Sequence, residues 1–500
     1  MKLSKLLSSK RISSFFTRHG LLSALLLSSG FRLGGLGIEC LWYDEAFTSL
    51  ISDLPFDRAL MAIAGDVHPP LYYLMSWIMA HMAGNSELTM RLPAALFGIL
   101  SCYQLYLFVM AISSDKNLAI WSTFVMAVLP AQLYYSQEAR GYTLLTWLVL
   151  FAMTSIVQRK WLRSTCALAL LMFTHNLAVF YVAVLGVWML LRGRGAVVRY
   201  LPVGMSYLAW LPVAFNQFGA VGGGFWIVDH GIGQLAYQSL FTTLGFRLPT
   251  WMQMHAALVV AALTLVSVWQ ARRERYLAPV LAVAFIPPIL MYTVSTALLP
   301  VFLERALLPS GVMLMLMWVA MIRYSAHKNA VAILTVAVPV LVVAIVSFVA
   351  VDRDDFQSFA QDIESRVEDG DAIYHTSIPS VIFLSRYMSM EHNYIMPAVG
   401  DLNQSLTDGT KAAMGLKQLE VPVSDLHKMG YKRLWLLRTI TPSSNQDRLD
   451  DVDTILDRYT VINVERVVDS QFGTFDVILL DLSLPNFEAI RWPHPAMYLR

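Results

Sequence analysis

"HPPLYYLMSWIMAHMAG", residues 68–84, is the stretch on which the topology of this chain turns. It is apolar enough to be counted as a membrane crossing. As a helix, however, 69–83 reaches only about 22 Å against a hydrocarbon core of about 30 Å. The surrounding charges decide, because cytoplasmic loops carry an excess of Lys and Arg. Such residues gather in 1–18, at Lys116, in "RKWLR" (159–163), "RGRGAVVR" (192–199) and "RRER" (272–275), and at Arg323 and Lys328. They share one side only if the spans run at about 20–39, 90–112, 117–136, 142–158, 162–174, 177–191, 200–217, 254–270, 276–297, 306–322 and 329–350. Counting 69–83 as a crossing would send every later basic cluster outside. The expectation is therefore an α-helical integral membrane protein of about eleven transmembrane helices, with the amino terminus inside and the carboxyl terminus outside. Segment 69–83 is then a half-inserted helix in the first external loop.

Composition agrees. Of 500 residues, 56% are hydrophobic and 14% charged, where a soluble domain carries about 25% charge. The apolar runs do not alternate with polar residues, which excludes a transmembrane barrel. A net charge of +2 offers no electrostatic case for nucleic acid. Cys40, Cys102 and Cys166 form neither a disulfide framework nor a metal motif. The basic start followed by an apolar run is signal-like, but Glu39 stands before Cys40 where a small residue would be needed, so an uncleaved anchor is expected.

With this topology the chemistry-bearing residues collect on the external face: Asp44, Glu45, Asp66, His68, Glu138, Arg140, His175, Asn176, Trp226, Asp229, His230, Glu304 and Arg305. Phe47, Leu50, Ile51 and Leu54 recur at helical spacing, so "DEAFTSLISDL" reads as an amphipathic helix on the bilayer surface with Asp44 and Glu45 in its first turn. In "GDVHPPL" the glycine closes one helix and the prolines open another, putting His68 at a helix amino terminus, where backbone N–H groups favour an anion. Past 351 the composition changes. An amphipathic helix is followed by the strand-like runs "DAIYHT", "KRLWLLRTI" (432–440) and "FDVILLDL" (475–482), which implies a soluble α/β domain over 351–500 beside a membrane domain over 1–350.

Taken in order, "LWYDEAFTSL", "DVHPPLYYLMSW", "SELTMRLPAALFGIL", "SQEARGYTLLTWL", "THNLAVFYV" and "PVFLERALLPS" resemble the prokaryotic branch of the polytopic C-fold (GT-C) glycosyltransferases, relatives of protein O-mannosyltransferases and aminoarabinose transferases. The resemblance covers roughly residues 20–350. It implies transfer of a sugar from a polyprenyl-phosphate-linked donor to an acceptor protein, lipid or glycan at the external membrane face, usually with inversion. By the same resemblance Asp44 is the catalytic or acceptor-binding acid, followed by Glu45. His68, in the "HPP" version of the motif, takes the place of a donor-phosphate contact. Glu138 matches an acidic residue of the second external loop, and Arg305 matches the late "F-x-x-R" arginine, although "ERA" lacks the usual aromatic partner. Metal dependence varies among such enzymes, so a divalent ion stays open and no ligands are assigned.

The residues support these roles independently, with plainer alternatives beside them. Transfer from a lipid phosphate needs a base for the acceptor hydroxyl and cations for the leaving phosphate. Asp44 suits the first, or is a helix cap at a membrane boundary. Glu45 has a supporting role. Arg305 suits a phosphate as a bidentate fork, or pairs with Glu304 or snorkels to headgroups. Arg140 and Glu138 line a polar cavity or form a local salt bridge of small worth. His68 is alternatively a capping histidine, and His175 and Asn176 are ordinary turn residues on the plainer reading. Trp226, Asp229 and His230 follow a glycine run and read as a lid or a linker. Two other function classes remain: a flippase of lipid-linked sugars, expected to carry internal repeats and midplane charges, and a glycan polymerase or ligase on a pyrophosphate carrier.

Overall fold

The computed structural model describes residues 10–193, 195–222, 250–271, 277–298, 301–324, 342, 355–388, 393–395, 406–418, 423–440, 455–456, 458–469 and 473–485. Trp226, Asp229, His230, the run 272–275 and nearly all of 329–350 lie outside these residues. The chain divides into two compact units, Met1–Glu39 with Asp66–Asp352, and Cys40–Gly65 with Arg353–Arg500.

In chain order the helices are α1 (Lys10–Leu33), α2 (Tyr43–Asp53), α3 (Phe56–Gly65), α4 (Leu71–Ala83), α5 (Glu87–Ser113), α6 (Lys116–Ala127), α7 (Pro130–Tyr134), α8 (Tyr142–Val157), α9 (Trp161–Thr174), α10 (Ala178–Arg192), α11 (Ala196–Tyr207), α12 (Leu211–Gly222), α13 (Thr250–Ala271), α14 (Ala278–Ala297) and α15 (Leu308–Tyr324). All but α2 and α3 belong to the first unit. Among the described residues, Glu87–Ser113, Ala278–Ala297 and Glu304–Arg323 are each long and apolar enough to cross a bilayer, and Lys116–Ala127 with Pro130–Gln137, bent by 63°, makes a fourth if taken as one span. Helices α8, α9 and α10 are apolar but shorter. Exposed Leu22, Leu26, Leu191, Val198, Phe215 and Leu265 give the unit an apolar exterior, the surface of a protein that lives in lipid.

In lipid every backbone polar group must find a partner within the protein, and the breaks in these helices show how that is met. Pro287 in α14 cannot donate to the carbonyl of Val283; the Ser310 hydroxyl donates to it instead, at 2.8 Å. At the break after α6 the carbonyl of Ala127 accepts from the Arg32 guanidinium at 2.9 Å, and that of Met126, which also accepts from the Leu129 N–H at 3.4 Å, does so at 3.2 Å. Arg32 is wholly buried and also donates to Ser28 Oγ and Ser136 Oγ at 3.0 and 3.1 Å. Gly98 faces this cluster, and a Cβ there would run into Ser136 and Arg32. Arg32 is thus a buried clamp on a broken helix. Caps set the other ends: Ser86 Oγ accepts from Thr89 N–H at the start of α5, and Asp115 accepts from Asn117 and Leu118 N–H at the start of α6.

The second unit adds α16 (Phe356–Arg366), β1 (Asp371–His375), α17 (Ile378–Tyr387), β2 (Asn393–Ile395), α18 (Asp408–Met414), β3 (Lys417–Gln418), β4 (Arg433–Ile440), β5 (Tyr459–Asp469) and β6 (Gly473–Pro485). Its strands form a sheet in the order β3-β2-β1-β4-β6-β5, parallel from β3 to β4, with β6 antiparallel to both β4 and β5. Central strand β1 is buried throughout, as expected of a strand flanked by parallel partners. Its Asp371 accepts from Arg433 Nε and Nη2, Trp435 Nε1 and Glu368 N–H at 2.6–3.0 Å, so the buried charge is fully met. Strands β1, β4 and β6 lie where the three apolar runs placed them.

Helices α2 and α3 pack within this unit, α2 against α17 and α3 against α18. Tyr387 OH accepts from Leu41 N–H at 2.6 Å, and Thr410 Oγ1 donates to the carbonyl of Ala62 at 3.2 Å. Gly65 ends α3 against the start of α18, where Thr407 and Thr410 leave no room for a Cβ. Helix α2 buries Glu45, Thr48, Ser49 and Ser52 as well as Phe47 and Ile51. That is not the one-sided burial of a helix lying on a bilayer.

Candidate active site

In the first unit a pocket is lined by His68, Pro69, Tyr72, Tyr73, Arg140, Gly141, Tyr142, Thr174 and His175. It is built on the turn that precedes α4. Asp66 Oδ2 accepts from the His68 N–H at 3.2 Å, from His68 Nδ1 at 3.0 Å and from Tyr73 OH at 2.7 Å, so one carboxylate oxygen folds the turn, orients the imidazole and ties both to the first turn of α4. Arg140 Nη1 in turn donates to Tyr73 OH at 2.9 Å, with its guanidinium 5.8 Å from the centre of that ring. The backbone of the turn is held from the opposite side, where Asn176 Nδ2 donates to the Val67 carbonyl at 2.8 Å and Gln217 Nε2 to the His68 carbonyl at 3.3 Å.

His175 follows α9. Its Nδ1 accepts from Leu177 N–H at 3.1 Å, which leaves the ring proton on Nε2. That nitrogen is buried and has no hydrogen-bond partner among the described residues. The ring lies edge-on to His68, 5.7 Å between centroids, and 5.8 Å from Tyr142. The Arg305 guanidinium stands 5.7 Å from the centre of the Tyr142 ring.

Electrostatics sets Asp66 and His175 apart. Burial pushes the Asp66 carboxyl up, but His68, Arg140 and the Tyr73 hydroxyl together outweigh it and hold it below the usual carboxylate range. Burial pushes His175 well below the ordinary imidazole value, and the positive charges of His68, Arg305 and Arg140 act in the same direction. His175 is thus a neutral N–H donor at pH 7. A pocket with a buried imidazole N–H, a guanidinium and a carboxylate-linked histidine is suited to an anion. Among the described residues no group of three or more His, Cys, Asp or Glu gathers as a metal site.

Of the residues singled out in the sequence, His68, Arg140 and His175 come together here, and Arg305 borders the pocket through Tyr142. Glu138 is buried two residues before Arg140, its carbonyl accepting the Arg140 N–H at 2.7 Å. Asp44 and Glu45 lie in the second unit, in the first turn of α2. Glu45 is buried and accepts from Trp42 N–H at 3.4 Å, a capping contact, while Asp44 is half-buried. Trp226 lies outside the described residues. Tyr73 was missed: it reads as filler in an apolar run. Asp66 was noted only as an external acid, although a carboxylate two residues before a histidine in a Gly-Asp-x-His-Pro turn is a signal for this contact.

No protein-family model and no curated protein matches the chain. Solved structures do. ArnT from Cupriavidus metallidurans in the apo state aligns at 14% identity with a TM-score of 0.55, covering 93% of this chain and 98% of that one. The same protein bound to undecaprenyl phosphate aligns with a TM-score of 0.52 at 14% identity over 92% and 97% of the two chains. The Archaeoglobus fulgidus oligosaccharyltransferase in the apo form gives 0.50 at 10% identity, over 93% of this chain and 74% of that one. Identities this low speak for architecture alone. On that evidence the chain has the fold of the C-fold (GT-C) glycosyltransferases of membranes.

Proposed function

We propose that the protein is a membrane glycosyltransferase that moves a sugar from a polyprenyl-phosphate carrier to an acceptor hydroxyl, with inversion at the anomeric carbon. The observation that carries this reading is the pocket of the first unit, lined by His68, Arg140 and His175 from three separate turns. That donor set fits a phosphate, and ArnT, which shares the fold, has been seen with undecaprenyl phosphate. Arg305 adds a cation for the same headgroup. Asp44 removes the proton of the acceptor hydroxyl, on the strength of its place in the "WYDEA" motif and its half-exposed position. Glu45, which caps its own helix, supports the turn on which Asp44 stands. Glu138 orients the acceptor.

The distribution of Lys and Arg supports transfer at the external face, with residues 1–350 in the membrane and 351–500 outside it. The acceptor is a protein, lipid or glycan hydroxyl. In membranes supplied with a radiolabelled polyprenyl-phosphate sugar, Asp44→Ala abolishes transfer while the protein still accumulates. An Asp44→Ala protein that transfers sugar at the normal rate would remove the assignment of the base.

A further inference from the structure

We propose that Asp66 and His68 form an acid–base pair in which His68 Nε2 delivers a proton to the departing phosphate, while His175 grips the same phosphate through a proton that it never gives up. This deepens the glycosyltransferase reading and rests on it.

The two imidazoles face one pocket but are held in opposite ways. His68 has a carboxylate behind it: Nδ1 lies 3.0 Å from Asp66 Oδ2, so its outer nitrogen is the one left to exchange a proton with a ligand. His175 has a backbone N–H behind it: Nδ1 accepts from Leu177 at 3.1 Å, so its outer nitrogen always carries the proton. That outer nitrogen is buried and lacks a hydrogen-bond partner among the described residues, a costly condition that an anionic ligand relieves. Asp66 is suited to its part because its charge is secured. It is 5% exposed and takes three donors, and the third, Tyr73, must donate because its own oxygen already accepts from Arg140. The titratable and charged groups facing His68 are Asp66 from its own turn, Tyr73 from α4, Arg140 from the turn before α8 and His175 from the turn after α9.

The chemistry supplies a reason for one fixed and one exchangeable proton. The donor is a phosphodiester with a single charge. As the acceptor oxygen bonds to the anomeric carbon, the carbon–oxygen bond to phosphate breaks and its electron pair stays on the phosphate. The acceptor's proton goes to Asp44. The phosphate is now a monoester whose second ionisation lies near that of an imidazole, about 6 against about 6.5. A proton moved from His68 Nε2 to this oxygen leaves the carrier with one charge again. Solvent later restores the proton of His68 and removes that of Asp44, so none is gained or lost over a turnover.

The test is the pH dependence of sugar transfer by the full-length protein in detergent, using a short-chain polyprenyl-phosphate sugar. Wild-type turnover falls on the alkaline side. His68→Gln lowers turnover about a hundredfold and abolishes that alkaline limb. Asp66→Asn, which takes away the carboxylate behind Nδ1, displaces that limb along the pH axis. A purely structural Asp66 would lower the rate equally at every pH, and that outcome overturns the pairing. His68→Lys provides a second route that leaves Asp66 intact. It keeps a cation for the phosphate but is a poor proton donor near neutrality, so turnover stays low; wild-type turnover in this variant would show that charge alone is required. If wild type transfers sugar and His68→Gln shares its rate and profile, the proton delivery falls and the glycosyltransferase stands. If wild type transfers no sugar from such a donor, both fall.

Discussion

Gly65→Ala is a small change with a calculable effect on the seat of α3, the helix that follows the one carrying Asp44. A Cβ at Gly65 overlaps the hydroxyls of Thr407 and Thr410. Neither can swing aside freely: Thr410 Oγ1 donates to the Ala62 carbonyl at 3.2 Å, and Thr407 Oγ1 caps α18 by accepting from Thr410 N–H, also at 3.2 Å. Losing one such bond or cap costs about 1 kcal/mol, and overpacking adds about 1–3 kcal/mol. Alanine regains about 1 kcal/mol through helix propensity, leaving a net local loss of about 1–3 kcal/mol. Opening of α3 from α18 then becomes roughly five- to 150-fold more frequent. Hydrogen exchange of the amides in residues 56–65 measures that directly. The decisive comparison is a double-mutant cycle. With Thr410→Ala in the background much of the obstruction is gone, so adding Gly65→Ala becomes neutral or stabilising. Strictly additive effects, or unchanged exchange in Gly65→Ala, would refute the packing argument.

Arg32→Met leaves the carbonyl of Ala127 without the guanidinium, and thermal unfolding in detergent should show a loss of about 1–3 kcal/mol, with Arg32→Lys recovering part of it. Tyr73→Phe removes the hydroxyl between Arg140 and Asp66; transfer assays should show a loss of roughly tenfold, from about 1–2 kcal/mol at one hydrogen-bonded node. For Asp371, burial raises the carboxyl but Arg433, the Glu368 N–H and Trp435 hold it below its ordinary value. A depressed folded value stabilises above the unfolded value of about 3.9 and ceases to do so as pH falls through the folded one. Urea titrations of the full chain should therefore show the second unit weakening below about pH 4. Asp371→Asn should start about 1–3 kcal/mol lower at pH 7 and lose less on acidification.

What could be read without coordinates was whatever neighbours along the chain decide. The apolar runs, the Ser86 and Asp115 caps and the buried strand at 371–375 all express local preference. The place of His68 just ahead of a helix was legible because two prolines mark its turn. The identity of its partner was not, since an i to i+2 contact depends on how that turn folds. Tyr73 was hidden for a different reason: its hydroxyl matters only because Arg140 arrives from 67 positions downstream. Arg32 stands inside an apolar run, and its place makes sense only beside the break after α6, whose carbonyls lie more than ninety positions away. The largest omission was the excursion 40–65. Hydropathy assigned it to the nearest lipid surface, whereas its contacts are made with Tyr387 and Thr410, far along the chain.

That long-range docking fixes an order of events during biosynthesis. Leu41 must wait for Tyr387, 346 residues later. At typical elongation rates this is a delay of roughly 20–70 s. For that interval Phe47 and Ile51 have been made and their cover has not, so the amino-terminal segment is a client for chaperones and a target for proteases until the last third of the chain emerges. Nonsense mutations ahead of Tyr387 therefore strip the shelter from residues translated near the beginning.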